Sequence, residues 1–454
     1  MTNEKKIKPS KELPLGFVDR QEKELLIRDF VISNIKEVMI KYGFQYLETP
    51  SFEYTDSIGK FLPDKDRPDQ GVFSFKDEKN WLSLRYDLTA PLARYVAKNY
   101  LELPKPFKRY QLGTVWRNEK PGPGRFREFL QFDADFIGTK NLMADAELCV
   151  MISEILEKCG LDKKDYTIKW STRKLTDALF EKLKISSSNK RLKILRSLDK
   201  LDRLGWDEVK KLLGKGRKDK SGDFTEGAEL SSSQIQDVYE IFVKKEVIPS
   251  GDNYEEGAGK DIRSMTNFLD VFGFKNYKFD PSIIRGLEYY TGPVFEVNLN
   301  FEVKNSKGKT IQFGSIGGGG RYDNLVSNFG NFDCPATGIS IGLDRLVFAL
   351  MQKKDFKIKS TRPIVICVFD KDKNKEYTGI LNELRSSNIS SEIYPGEGKL
   401  KKQMEYANKI GSPAVILYGE DEIKSGKATL KNLETGNESS VKIEDIVSEI
   451  KKII

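Results

Sequence analysis

The chain contains no histidine among its 454 residues. Imidazole is the usual general base near neutral pH and the commonest metal ligand. Its absence excludes Ser-His-Asp and Cys-His hydrolases, zinc sites of the HExxH kind and proton shuttles through imidazole. Catalysis must instead rest on carboxylates, arginines, backbone groups or a carboxylate-bound cation such as magnesium. No GxxxxGK[ST] stretch occurs, so a nucleotide site has to be built another way. The four cysteines, Cys149, Cys159, Cys334 and Cys367, form no CxxC pair, and a disulfide frame is not expected. No apolar run approaches the roughly 18 residues that a membrane helix requires. The opening MTNEKKIKPSKELP carries two acids and no apolar core, unlike a signal or transit peptide. A cytoplasmic location is the resulting expectation.

What is present suits a soluble globular protein: 38% hydrophobic and 32% charged residues, over a length typical of about three domains. The net charge of +8 is unevenly spread, with +9 across 171–220 and −6 across 221–280. The basic block could meet nucleic-acid phosphate; a solvated helical face explains it equally well.

Periodicity predicts a first long helix in LLIRDFVISNIKEVMIKYG, stopping at Gly43. An extended piece with Pro50 inside it follows, an edge, a bulge or an interface strand because proline lacks the ladder donor. WLSLRYDLTAPLARYVAKNY reads as a strand breaking into a helix at Thr89–Pro91. Residues 107–136 read as a long hairpin bent at EKPGPGR. Helix is predicted from about 141 to 159. From 172 to 275 the composition turns lysine-rich, with a serine cluster and the mobile loop GKGRKDKSGDFTEG, as in an inserted, mainly helical module. A second antiparallel section covers GPVFEVNLNFEV and TIQFGSIGGGGRYDNLV, and TGISIGLDRLVFALMQ passes from strand to amphipathic helix. Beyond a break near residue 360, apolar strands (364–369, 414–418) alternate with helices (375–386, 400–410), as in an α/β domain with a largely parallel core.

In the second arm of the hairpin, Leu130, Phe132, Ala134 and Phe136 share one face, while Phe129, Gln131, Asp133 and Asp135 share the other. The first set suits a core and the second the wall of a pocket. In the first arm Arg109, Gln111 and Arg117 fall on a common face by the same count. Residues 285–297, RGLEYYTGPVFEV, add a permanently charged fork and two phenols at the mouth of a strand, groups suited to a small zwitterion or a nucleotide. Taken singly, each of these motifs has an ordinary structural explanation; they gain meaning by occurring together and in order.

Together the segments resemble the histidyl-tRNA synthetase family of class II aminoacyl-tRNA synthetases. The helix and strand with Pro50 look like motif 1. The hairpin with Arg117, Glu119 and Arg125 looks like motif 2, and GISIGLDRL with Arg345 looks like motif 3. RGLEYYTG and GGGGRYDNL are similar to the family's two histidine-specific signatures, and the tail resembles its anticodon-binding domain. The resemblance implies an α+β fold with an antiparallel catalytic sheet. It implies a discontinuous core at 1–171 and 276–358, an insertion at 172–275 that could contact the tRNA acceptor, and an α/β anticodon-binding domain at 362–454.

The implied reaction joins L-histidine to ATP, giving histidyl-adenylate and pyrophosphate, and then transfers histidine to the 3′ end of tRNA(His). By resemblance Arg285 and Arg117 are the catalytic residues at the α-phosphate. Asp87, Leu88, Thr89, Gln131, Asp135, Tyr289, Tyr290 and Tyr322 hold histidine. Arg117, Glu119, Arg125, Phe129, Arg285 and Arg345 hold ATP, with Arg345 and Phe129 on opposite sides of the adenine. Mg2+ is expected only with ATP, with no histidine or cysteine ligand from the protein. The family works as a homodimer through motif 1. The sequence departs from common members at Asp87 and Asp135, where glutamate is usual, and in the motif 2 bend KPGPGR after Asn118, which faces the tRNA. A silent relative, such as the regulatory subunit of ATP phosphoribosyltransferase, is the competing reading; such relatives generally lose the histidine-specific signature or the tail, and this chain keeps both.

Overall fold

Helix α1, Glu22–Lys41, buries Ile27, Val31, Ile35, Val38 and Met39, a single stripe at helical spacing. It stops as expected at Gly43, whose φ of 70° lies in the left-handed region. The chain is seen in a computed structural model that describes residues 10–59, 71–122, 124–219, 222–245, 254–284, 290–305, 307–311, 313–356, 358 and 362–454. They divide into two compact units, 1–356 and 357–454.

The first unit is built on an eight-stranded sheet. In chain order its strands are β1 Gln45–Tyr46, β2 Phe107–Trp116, β3 Glu128–Ile137, β4 Tyr166–Thr172, β5 Tyr277–Phe279, β6 Pro293–Leu299, β7 Ser315–Arg321 and β8 Ala336–Gly342. They lie side by side as β1-β2-β3-β8-β7-β6-β4-β5. The two outermost pairings are parallel and the five between them antiparallel. The hairpin of β2 and β3 is the longest ladder, and β1 is the edge strand that the nearby proline called for.

Helices α1, α3 (Met143–Lys158) and α4 (Leu343–Gln352) pack on one another and on β3 and β8. They cover the side carrying Phe132, Ala134 and Phe136, as the alternation predicts, and Phe44 meets Phe136 edge-on at 5.1 Å. Helix α2, Thr89–Lys98, joins a separate apolar cluster with Phe107, Ile137 and Tyr322 on the opposite side.

Among the described residues of 173–271 there are five helices of eight or more residues around their own apolar cluster, running from Leu175 to Ile284. Two serines cap helices here, Ser187 and Ser231. The glycine- and lysine-rich stretch read as a loop is instead a small hairpin, Gly216–Lys218 against Phe224–Glu226. Glycine permits it, because a Cβ at Gly227 would lie 2.0 Å from the Gly214 carbonyl oxygen. The charge asymmetry of the sequence is partly closed within this module. Lys174 pairs with Asp261 and Lys182 with Asp237, both at 2.7 Å, and Lys193 with Glu226 at 2.6 Å.

The second unit has a five-stranded sheet: β9 Ile364–Cys367, β10 Ser391–Ile393, β11 Ala414–Leu417, β12 Lys427–Asn432 and β13 Glu438–Lys442. Their order is β10-β9-β11-β12-β13. Only β9, β10 and β11 are parallel; β12 and β13 run antiparallel. The expected, largely parallel core is therefore mixed. Strand β9 is buried throughout, whereas β12 and β13 bury only alternate residues, Ala428, Leu430 and Val441, as suits an antiparallel margin.

Strands β7 and β8 approach closely because Gly319 has no side chain: a Cβ there would sit 2.0 Å from the Gly338 carbonyl oxygen. Gly319→Ala should therefore cost about 3 kcal/mol, read as a lower denaturant midpoint for the first unit. An unchanged midpoint would contradict this packing.

Candidate functional site

The polar face of β3 is buried, not a solvated wall. Gln131, Asp133 and Asp135 are all buried, with Thr89 of α2 over Asp133 and Tyr322 over Asp135. Their ladder partners on β2 are Gly113, Gln111 and Arg109, and on β8 they are Gly342, Ser340 and Gly338. The small residues of β8 leave space above the sheet. Gly338 is required there, since a Cβ would lie 1.9 Å from the Asp135 Oδ1 atom.

Asp135 and Arg109 form the centre of this row. They are 1% and 0% exposed, and Arg109 Nη2 stands 3.2 Å from Asp135 Oδ2, within ion-pair distance but without hydrogen-bond geometry. Arg109 Nη2 donates instead to the Leu88 carbonyl at 2.8 Å, and the Tyr322 phenol donates to Asp135 Oδ1. Among the described residues Asp135 Oδ2 and Arg109 Nε and Nη1 are buried with no hydrogen-bond partner. Buried groups of this kind are rare and call for an explanation; a polar ligand is one. Burial pushes the Asp135 carboxyl up to about 7, against the pull of the Arg109 charge.

The row continues away from Asp135. Asp133 accepts from Gln131 Nε2 at 2.8 Å and from the Thr89 hydroxyl at 3.2 Å, and burial raises its carboxyl also. Asp87 Oδ1 accepts the backbone amides of Thr89 and Ala90 at 3.1 and 2.9 Å, so it caps α2. Burial lifts the Asp87 carboxyl to about 6 despite these bonds.

Gln131 also opens onto a cavity of about 160 Å³. Arg117 and Arg345 line it together with Glu119, Arg125, Phe129 and Gly317. Arg117 is held by Nε donation to the Tyr86 carbonyl at 3.0 Å and Nη2 donation to Gln131 Oε1 at 3.4 Å, with its fork 5.1 Å from the Phe129 ring centre. Arg345 lies over Phe313 at 4.4 Å and donates to the Phe313 carbonyl. Phe129 therefore faces Arg117, and the aromatic under Arg345 is Phe313, which the sequence analysis did not single out. Glu119 and Arg125 pair at 3.9 Å at the exposed mouth.

Tyr290 packs in the same apolar cluster as Tyr322 and α2. Arg285 and Tyr289 lie outside the described residues. Among the rest, Asp87, Leu88, Thr89, Gln131, Asp135, Tyr290 and Tyr322 gather at one end of the row, and Arg117, Glu119, Arg125, Phe129 and Arg345 at the other. The reading of the sequence did not assign roles to Arg109, Asp133 or Gly338. Folding the two arms of the hairpin about the bend at 121–124 would have set Arg109 opposite Asp135.

Comparison with known proteins adds an independent line. The family model described as histidyl-tRNA synthetase matches residues 16–346, and that described as anticodon binding domain matches 363–453. A protein of Bartonella henselae named histidine–tRNA ligase is 46% identical over 97% of this chain and 93% of its own length. One of Brucella ovis with the same name is 45% identical, covering 96% and 91%. The crystal structure of histidyl-tRNA synthetase from Nostoc sp. PCC 7120 superposes with a TM-score of 0.76 at 25% identity, over 98% of this chain and 100% of that one.

The raised Asp135 carboxyl fixes the sign of a pH effect. A folded-state value near 7 stands above the ordinary 3.8, so the folded protein binds the extra proton and this contribution to stability is lost as pH rises toward and through 7. The ligand-free protein should therefore melt at lower temperature at pH 8 than at pH 5 in part through this group, and Asp135→Asn should flatten that slope. Parallel melting curves for the two proteins against pH would refute the assignment.

Proposed function

Because the chain belongs to the histidyl-tRNA synthetase family, and is thus a ligase that joins histidine to tRNA(His) through histidyl-adenylate, we propose that the buried end of the polar row holds histidine and the cavity beside it holds ATP. The observation that carries this is the continuity of the row. Gln131 touches Asp133 on one side and Arg117 on the other, so an amino acid seated above β3 would have its carboxylate beside the arginine-lined cavity. The silent regulatory reading loses its ground in the near full-length identity to ligases.

The imidazole of the substrate supplies what the pocket lacks. An N–H of the ring donates to Asp135, whose Oδ2 has no hydrogen bond, while Tyr322 and Tyr290 close the pocket around it. Asp87, Thr89 and Gln131 take the α-amino group, with the Leu88 backbone beneath. An analogue without ring nitrogens would leave the acid and phenol unpaired, a loss worth roughly 10⁴-fold in discrimination.

In the first step a histidine carboxylate oxygen attacks the α-phosphorus, a new P–O bond forms, and the bond to pyrophosphate breaks. Negative charge grows on the α-phosphate oxygens. Arg117, pre-oriented by Tyr86 and Gln131, meets that charge without reorganising, and Arg285 shares the role. The adenine enters the cavity that Arg345 and Phe129 line together, and Glu119 and Arg125 engage its edge and the terminal phosphates. Mg2+ would enter with ATP, bound mainly by phosphate oxygens, with Glu119 as the exposed carboxylate within reach; among the described residues no cluster of three acidic or sulfur ligands stands ready for a metal. In the second step the terminal tRNA hydroxyl attacks the carbonyl carbon and AMP leaves. The protein has no histidine side chain to act as base, and an oxygen of the departing phosphate takes the hydroxyl proton.

We assign 1–171 and 276–358 to catalysis, 172–275 to an insertion meeting the acceptor end, and 362–454 to the anticodon. The protein acts in the cytoplasm, where its tRNA is used. A homodimer is supported by exposed aromatics on one face of the small antiparallel sheet that follows β1: Phe52, Tyr54 and Phe75 are 43–57% exposed, with Phe52 edge-on to Phe75 at 5.4 Å. A patch of this kind is costly to leave in water.

Histidine-dependent ATP–pyrophosphate exchange tests the site. Arg117→Ala should lower kcat about 100-fold or more with the fold intact; exchange without dependence on histidine, or undiminished by this change, would overturn the proposal. Light scattering at micromolar concentration should give twice the chain mass, and Phe52→Ser with Tyr54→Ser should shift it toward the monomer. A monomeric native protein would remove the dimer.

A further inference from the structure

Arg321 ends β7 and touches none of the groups assigned above to the reaction, yet it is 4% exposed. On the ladder it pairs with Thr337, which pairs in turn with Phe136. Its side chain therefore leaves the sheet on the helix side, away from Asp135. There the guanidinium meets the buried Asp145 carboxylate of α3, and Nη1 donates to the Thr139 carbonyl at 2.8 Å and to Asp323 at 3.1 Å. The next residue, Tyr322, emerges on the opposite side and donates to Asp135. Consecutive side chains thus grip the end of β7 from both faces.

The same residue holds a second segment. The Arg321 carbonyl accepts the Thr291 amide at 2.8 Å, and Thr291 Oγ1 donates to Asp323 Oδ2 at 2.9 Å while accepting the Asp323 amide at 3.1 Å. Thr291 directly follows Tyr290. Gly292 makes the approach possible, since a Cβ there would stand 3.0 Å from Arg321 Cδ.

We propose that Arg321 and Asp145 are positioning residues that set both phenols of the amino-acid pocket, Tyr290 and Tyr322, and so determine histidine affinity without touching the substrate. Asp145 supplies the buried anchor on α3, Arg321 transmits it across the sheet, and Asp323 with Thr291 carries it to Tyr290. The inference rests on the reading of that pocket as the histidine site.

A buried ion pair could serve the fold alone, so the test has to separate the two roles. Pyrophosphate exchange is titrated separately with histidine and with ATP for Asp145→Asn, Arg321→Lys and Thr291→Val, beside Tyr322→Phe. A displaced phenol should raise the histidine KM about tenfold and leave the ATP KM within about twofold. Asp145→Asn combined with Tyr322→Phe should give less than the product of the separate effects, because the Tyr322 phenol is common to both. Equal rises in both KM values, or a lower kcat at unchanged histidine KM, would overturn the positioning role. If Asp145→Asn does not fold, Thr291→Val decides alone, since it leaves the ion pair intact. Should Tyr322→Phe itself leave the histidine KM unchanged, the pocket reading fails and this inference with it. If Tyr322→Phe raises it and the other three do not, only the positioning role falls.

Discussion

A guanidinium and a carboxylate sealed from water at the middle of a sheet, Arg109 and Asp135, constrain much of what surrounds them. Removing two charges from water costs several kcal/mol per ion unless each finds its partner and further hydrogen bonds. The antiparallel register supplies the pairing, by setting the two residues opposite one another in the β2–β3 hairpin. Gly338 supplies the room, and Tyr322 and the Leu88 carbonyl supply bonds. The satisfaction is incomplete, and the incompleteness is directional: an acceptor remains on Asp135 and donors on Arg109. A site left short of a donor at its acid is prepared for a ligand that brings one.

Most of the fold was legible because it follows from period and punctuation. The stripe of α1 and its stop at Gly43, the hairpin, the passage from strand to helix at 336–352 and the break near residue 360 were all written in spacing and turn residues. The two-residue period of β3 even told its apolar face from its polar one. Period says nothing, however, about what covers a face. The acids of β3 read as a pocket wall, and their sealing by α2, Leu88 and Tyr322 depends on chain segments far apart in sequence.

The site was legible in part, for the same reason. Motifs brought Arg117 and Arg345 to one cavity and Asp135 and Tyr322 to one bond. They missed partners supplied across strands: Arg109 for Asp135, and Phe313 beneath Arg345. The lysine-rich block hid partners of its own in a related way. Its positive charge is a surplus along the chain, whereas some of its lysines meet acids distant in sequence, as Lys174 meets Asp261 and Lys182 meets Asp237. Such exposed pairs contribute little stability, but they do reduce the field available to a polyanion.

A chain without histidine has no side chain whose ordinary pKa falls near neutrality. This one recovers that range by desolvation, which lifts Asp87 to about 6 and Asp135 to about 7. The substitution is not symmetrical. An imidazole gains charge as it takes a proton, whereas a buried carboxylate loses it and becomes easier to bury. Burial thus eases protonation of these acids in the empty pocket, and a donor or a cation that arrives favours the ionised form again. On the proposed reading, a substrate that carries both an ammonium group and a ring N–H would reverse the effect of burial at the two acids together. Recognition and ionisation are then one event, and a ligand lacking either group would pay the desolvation cost without the compensating bond.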